Sequence, residues 1–300
     1  MARPHPALAT PQPKVSPLPM SLTPARTPTV GVITVTHNSG RFFEAYLQAL
    51  EAQTSRPDRV VIIDSGSTDP SFLDRAVGSP LPLDIVRMNN VGFSKGNNLA
   101  WQRIRDFDYI LFLNPDAFLA PDFISLAVAY MQATPTVGLL TPTLIRYDIE
   151  ARKPLDIIDS TGVVRGPFGF TIERDEGLPV AALAKYSAPN PVPWVCAAAA
   201  LGRRQALESV LENGQLFDES LFMYKEDTDV AWRIRRAGWL NIHNPALIGF
   251  HCRGWQNRKL ISRSIRLRAA RNEAIVCAKN HSPFLLIGIL KYLSVLLLNV

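Results

Sequence analysis

Apolar and polar positions change period along the chain. Short β-branched runs at 30–36, 59–64, 83–87, 109–113 and 137–140 read as buried strands, with a further one at 193–195. Between them the apolar spacing switches to three and four. Phe42, Phe43, Tyr46, Leu47 and Leu50 mark a helix over 41–53, and others are predicted over 97–105, 122–132, 203–212 and 225–237. Gly238 stops the last of these. Its acidic start, Glu226-Asp227-Thr228-Asp229, suits the positive end of the helix dipole, and Asp229 and Arg233 share a face four residues apart. Strands bounded by helices in this order predict an α/β fold, a mostly parallel central sheet flanked by helices. The stretch 148–192 is poorer in pattern and reads as loops around a small mixed β region.

Ligands of such sheets bind at the carboxyl ends of the strands. Polar groups cluster there: Thr36-His37-Asn38, Asp64-Ser65 and Asn114-Pro115-Asp116. One such cluster is an ordinary turn. Three in succession on one edge mark a candidate site. After Trp194 the small residues of 196–200 permit close approach of a ligand or of another backbone.

Composition changes this picture mainly at the two ends. The 47% apolar content excludes disorder over the whole length. Eight prolines and no apolar period predict a disordered tail over 1–28, without the apolar run of a secretory signal. Three cysteines without metal-ligand spacing fit a reducing compartment. Of the net +6, residues 251–280 carry +7, so the rest of the chain is nearly neutral. The apolar stretch 284–298 follows, interrupted by Lys291 and shorter than the roughly 20 residues of a membrane span. A basic segment beside a short apolar helix predicts an anionic membrane surface as partner. Packing on the domain or on a partner, or the start of a longer span, are the alternatives. No basic face or recognisable module points to nucleic acid. The expected division is a tail (1–28), a catalytic domain (29–250) and a basic then apolar helical segment (251–300).

Six motifs carry a resemblance: Thr34-Val-Thr-His-Asn38, Asp64-Ser-Gly-Ser-Thr-Asp69, Asn90-Val-Gly-Phe-Ser-Lys-Gly-Asn-Asn98, Leu113-Asn-Pro-Asp116, the run from Phe217 to Asp229 containing Glu226-Asp227, and the run from Asn244 to His251. In this order they resemble the inverting glycosyltransferases of family 2, of GT-A (Rossmann-like) fold, rhamnosyltransferase-like in their Asn-Pro-Asp. The resemblance implies a nucleotide pocket of Thr36, Asn38, Asp64, Ser65 and Asn114, with Asp64 accepting a pyrimidine ring N–H. Asn90, Gly92, Lys95 and Asn98 would lie near ribose and phosphates, while Asp69 only caps a helix. Asp116 and His251 would hold Mg²⁺ or Mn²⁺, although Asn114 departs from the strict DxD element. Asp227 would be the base, Glu226 its support, and Trp194 and Asp229 would lie on the acceptor side, with Asp229 drawn to Arg233.

The implied reaction is one in-line displacement, from dTDP-rhamnose or a UDP-hexose to a hydroxyl of a lipid-linked or cell-envelope glycan. The enzyme is then expected in the cytoplasm, peripheral on the inner face of the cell membrane. The alternative is a nucleotide-sugar-binding or assembly protein without catalysis. A nicotinamide-type oxidoreductase is disfavoured because no Gly-x-Gly-x-x-Gly turn follows the first strand.

Overall fold

The computed structural model describes residues 26–253 and 261–298. Residues 1–25 of the expected tail and 254–260 of the basic stretch, with Arg258 and Lys259, lie outside the described residues. The first half of the chain builds four parallel strands: β1 (Val30–Thr36), β2 (Arg59–Ser65), β3 (Leu83–Met88) and β4 (Tyr109–Leu113), in the order β4-β1-β2-β3. Every residue of β1 and β4 is buried, as expected of strands covered on both faces. The covers are α1 (Gly40–Glu51) and α2 (Gly92–Ile104), which place Phe43, Tyr46 and Trp101 in the core.

The second half extends the sheet. After β5 (Ala117–Leu119) and α3 (Phe123–Ala133) come β6 (Val137–Asp148), β7 (Lys153–Ser160), the hairpin β8 (Val163–Arg165) and β9 (Thr171–Glu173), and the short β10 (Asn190–Pro191). β11 (Ala199–Arg203) inserts antiparallel between β4 and β6. Then follow α4 (Arg204–Glu208), α5 (Glu226–Arg236) and β12 (Leu240–His251), which runs parallel to β6 and also pairs with β5. The chain closes on α6 (Arg263–Lys279) and α7 (Leu285–Leu298).

Four boundaries differ from the sequence pattern, two of them through a distant partner. α2 starts at Gly92 because the Phe222 carbonyl accepts from Phe93 N and Ser94 N, supplying the cap that the local sequence lacks. β6 runs on to Asp148 because β7 and β12 pair with its second half. The segment 193–195 is no strand, only a bridge from Trp194 to Val163, and α4 ends at Glu208. α6 packs on the body through Ala270, Asn272, Glu273, Val276 and Cys277. α7 folds back along α6: Arg263 donates to the Leu296 carbonyl, and a Cβ on Gly288 would lie 3.2 Å from Ala274 Cα. Among the described residues no helix is long and apolar enough to cross a membrane.

Candidate active site

The first corner of the site lies at the ends of β1 and β2. Thr36 and Asp64 are register partners, both buried. Asn38 takes the left-handed conformation (φ 53°), donating its N–H to Ser67 Oγ (2.7 Å) and accepting from Thr68 N at Oδ1 (2.8 Å). The Ser67 hydroxyl in turn donates to Asp64 Oδ1 (2.5 Å). Thr36 Oγ1 is buried with no hydrogen-bond partner, which leaves a polar atom for a ligand to satisfy. Thr36, Asn38 and Asp64 thus come together at one edge of the sheet. Asp69 caps the following turn, accepting from Ser71 N (2.9 Å), as expected.

The remaining polar groups on this side fasten the scaffold. Ser65 Oγ accepts from Val91 N (2.9 Å) and Gly92 N (3.2 Å), and Asn90 Oδ1 accepts from Gly92 N (3.1 Å). Gly92 has φ 79°, and a Cβ there would stand 2.5 Å from the Phe222 ring, so only glycine fits. Lys95 is half exposed, 3.9 Å from Glu219. Asn98 is a correction. Its Nδ2 donates to Phe217 O and Glu219 Oε1, and its Oδ1 accepts from Leu216 N and Phe217 N, so its amide stitches α2 to 216–219 and has nothing left for a nucleotide.

The second corner is built by strand pairing. Ala117 of β5 is the register partner of His251 on β12, which brings Asp116 Oδ1 to 3.4 Å from His251 Nε2. The other ring nitrogen, Nδ1, lies 2.8 Å from Asp159 Oδ2, and Asp159 is fully buried beside Arg253 (2.7 Å) and Arg146 (3.5 Å). Burial alone would strip the His251 proton. The facing carboxylates outweigh it and raise the imidazole to about 10. Burial pushes Asp116 upward, yet the His251 charge leaves it below the usual carboxylate range.

Could these residues hold a divalent cation? A carboxylate oxygen and an imidazole nitrogen face one point, and Asp159 orients the ring from behind, as a partner does at metal-binding histidines. The pair fits. Among the described residues no group of three or more His, Cys, Asp or Glu is arranged to hold a metal ion. A cation at this pair would therefore need its other oxygens from phosphate and water.

Asp227 forms the third corner, in the first turn of α5. Its Oδ1 accepts from Thr228 N (2.7 Å) and its Oδ2 from Ala197 N (3.3 Å). The next carbonyl, Ala198 O, accepts from Asn114 N (2.9 Å). One two-residue segment therefore holds Asp227 on one side and the Asn114-Pro-Asp116 turn on the other. Glu226 is buried, its Oε2 without a hydrogen-bond partner; burial and then the Asp227 charge push it up to about 8.

Two acceptor-side expectations need correction. Asp229 is fully buried and bound to Arg233 Nε (3.0 Å), Lys279 Nζ (3.3 Å) and Asn280 Nδ2 (3.1 Å), so it anchors α6 and faces no acceptor. Its pairing with Arg233 is as expected. Trp194 is only 4% exposed, packed on Trp232 and under the Arg165 guanidinium, and serves as a wall.

Sequence reasoning missed Asp159, Arg253 and Glu173, which strand pairing gathers from distant segments. Glu173, half-buried and pushed up to about 7 by loss of solvent, accepts from Ser160 Oγ (2.5 Å). It also missed Asn272 of α6, whose Nδ2 donates to three carbonyls, of Leu221 (2.7 Å), Met223 (3.0 Å) and Tyr224 (2.9 Å). That loop leads into Asp227 and has Phe222, Tyr224 and Lys225 at positive φ (59°, 75° and 73°). Lys225 Nζ reaches Thr171 Oγ1 and Glu273 of α6.

Comparison with known proteins identifies the family and the fold. Residues 31–211 match the family described as Glycosyl transferase family 2. The N-acetylglucosaminyl-diphospho-decaprenol L-rhamnosyltransferase of Mycobacterium tuberculosis is 29% identical over 241 residues, 73% of this chain and 75% of that one. Rhamnosyltransferase WbbL of Escherichia coli is 27% identical over 247 residues, 79% and 88% of the two chains. Among solved structures, GalNAc-T7 with UDP, GalNAc and Mn²⁺ superposes with a TM-score of 0.65 at 16% identity, covering 85% of this chain and 48% of that one, so this chain spans about half its length. Mannosyltransferase PcManGT from Pyrobaculum calidifontis, with GDP-Man and Mn²⁺, gives 0.58 at 22% identity, over 92% and 72%. At such identities the solved structures speak for the fold alone. With the family match running over more than half of its length, the chain belongs to glycosyltransferase family 2 and has the GT-A fold.

Proposed function

We propose that this glycosyltransferase inverts the anomeric centre, moving a sugar from a nucleotide-diphospho-sugar to a hydroxyl of a lipid-linked or envelope glycan. dTDP-rhamnose is the first donor to consider and a UDP-hexose the second. The observation that carries the reading is the 197–198 segment, which holds Asp227 and the Asn114-Pro-Asp116 turn side by side. A proton acceptor and a diphosphate-facing carboxylate are thereby fixed on one edge of the sheet, with Thr36 and Asp64 receiving the base. The donor and acceptor classes are supported by the relatives, which are rhamnosyltransferases, one of them named for a decaprenol-linked substrate.

In the reaction Asp227 takes the proton of the acceptor hydroxyl as its oxygen attacks the anomeric carbon. The bond from that carbon to the diphosphate oxygen breaks, and the electron pair leaves with the nucleoside diphosphate. One displacement inverts the configuration. Glu226, raised to about 8, holds its proton at neutral pH and is a poor base for this step. Asp116 and His251 would hold Mg²⁺ or Mn²⁺, which when bound neutralises charge on the leaving diphosphate. A lipid-linked acceptor places the reaction at a membrane surface.

The test supplies the purified protein with dTDP-rhamnose or UDP-hexoses, a polyprenyl-diphosphate-linked N-acetylglucosamine, and Mg²⁺ or Mn²⁺. The expected product, read by mass spectrometry and NMR, carries one added sugar of inverted anomeric configuration, and chelation suppresses it. Tight donor binding with neither transfer nor donor hydrolysis would instead identify a nucleotide-sugar-binding protein.

A further inference from the structure

α7 wears its apolar side outward. Of the thirteen large hydrophobic side chains exposed among the described residues, seven belong to this one helix, including Leu286 (66%), Leu290 (56%) and Leu297 (74%). With Ile289, Leu293 and Leu296 they recur every three or four residues, so they form one stripe along the helix. The opposite side, at Gly288 and Val295, is buried, with Gly288 against Ala274 of α6. A helix on a water-facing surface normally shows the reverse pattern, and an apolar patch this continuous marks a contact site. The turn between β8 and β9 enlarges it. Gly169 lies against Ile287 and Phe284, and the neighbouring Phe168 is 78% exposed.

Charge decides what covers the stripe. α7 has no acidic residue, and its Lys291 turns inward, over the Phe170 ring and 3.5 Å from Glu273. α6 carries Arg263, Arg266, Arg268 and Arg271, of which Arg268 lies over the Phe222 ring and Arg271 reaches the Ser220 carbonyl, while its one acid, Glu273, is buried among Thr171, Arg165 and Lys225. Arg263 reaches the carbonyl of Leu296, so a guanidinium stands at the rim of the stripe. An apolar face with a basic rim matches the acyl boundary and anionic headgroups of a bilayer. A protein partner would have to be both greasy and acidic.

We propose that α7 lies in the plane of an anionic bilayer, its leucine stripe in the acyl boundary and Arg263 of α6 on the headgroups. The fourteen described residues make about 21 Å of helix, against roughly 30 Å of hydrocarbon, so the described helix is too short to cross and an orientation along the surface suits its one-sided stripe. Docking in this way turns the acceptor side toward the lipid, because Asn272 and Glu273 of the same α6 hold the loop that leads into Asp227. The orientation rests on the lipid-linked-acceptor reading. The docking does not.

The test is flotation of the full chain with phosphatidylcholine vesicles, with and without phosphatidylglycerol, in the absence of donor and acceptor. Wild type should float with the phosphatidylglycerol vesicles and largely dissociate in high salt. The pair Leu290→Glu and Leu293→Glu should lower binding by at least about tenfold, since burial of two leucines is lost. Arg263→Glu should lower it less. Circular dichroism checks that the variants keep their helices, and transfer to a water-soluble short-chain acceptor should stay at the wild-type rate in the leucine pair. Failure of wild type to float, or floating of the leucine pair as well as wild type, overturns the proposal. So does a dimer in sedimentation velocity that the leucine pair abolishes while wild type ignores vesicles. Failed sugar transfer with vesicle binding intact would count against the catalytic reading alone.

Discussion

Replacing Asn272 with alanine should disturb catalysis from a residue that touches no substrate. Asn272 is fully buried, and its amide group is the donor shared by three carbonyls of the loop 221–224. A typical hydrogen bond contributes about 1 kcal/mol net, and a buried acceptor left unpaired costs about 1–3 kcal/mol. With water reaching part of the vacated space, the loss should be about 2–4 kcal/mol. For a protein of this size that lowers Tm by roughly 3–7 °C. The loop has its own reason to move, since Phe222, Tyr224 and Lys225 hold positive-φ conformations that cost about 1–3 kcal/mol each for residues with a Cβ. Relaxation there shifts Asp227, the next residue but one after Lys225. Misplacement by about 1 Å can cost a hundredfold, so kcat should fall tenfold to a hundredfold. Donor KM should change little, because Thr36 and Asp64 sit on β1 and β2, away from the clamp. The assay is steady-state transfer well below Tm, together with denaturant unfolding. A stability loss with kcat unchanged would refute the positioning role.

Two further outcomes follow from the same geometry. Gly92→Ala combines a left-handed backbone (φ 79°) with a methyl 2.5 Å from the Phe222 ring, and denaturant unfolding should show a loss of about 2–5 kcal/mol. Unchanged stability would contradict the packing. Glu226→Gln should flatten the pH profile of stability. Between the ordinary 4.5 and about 8 the folded protein keeps a proton that the unfolded chain has released, so wild-type stability falls as pH rises through that window, by at most about 1.4 kcal/mol per unit. The variant should lack that decline in Tm measured across the window, and parallel profiles would refute the burial argument.

The parallel half of the sheet was legible because β1, β2 and β4 are covered on both faces and therefore read as unbroken apolar runs. The Asp229–Arg233 pair was legible for a similar local reason, since residues four apart meet on a helix. What escaped depends on distant partners. The first turn of α2 looks like a loop until Phe222 caps it, and Asn98 looks like a ligand contact until 216–219 folds over it. Asp159 and Arg253 carry no signature in their own neighbourhoods. Asp159 meets His251 and Arg253 only because β7 and β12 both pair with β6. In the same way the resemblance paired Asp116 with His251, and the β5–β12 register supplies the physical cause.

The central claim is that Asp227 is the group that takes the acceptor's proton, and it is tested most directly by Asp227→Asn assayed twice. The asparagine keeps the shape and one acceptor oxygen for Thr228 N, giving up only the longer bond from Ala197 N, so the fold and the pocket at Thr36 and Asp64 should persist. Donor binding measured by calorimetry should stay within about threefold of wild type, while transfer falls by roughly a hundredfold or more, the range expected for loss of a general base. Transfer at near the wild-type rate would contradict the assignment.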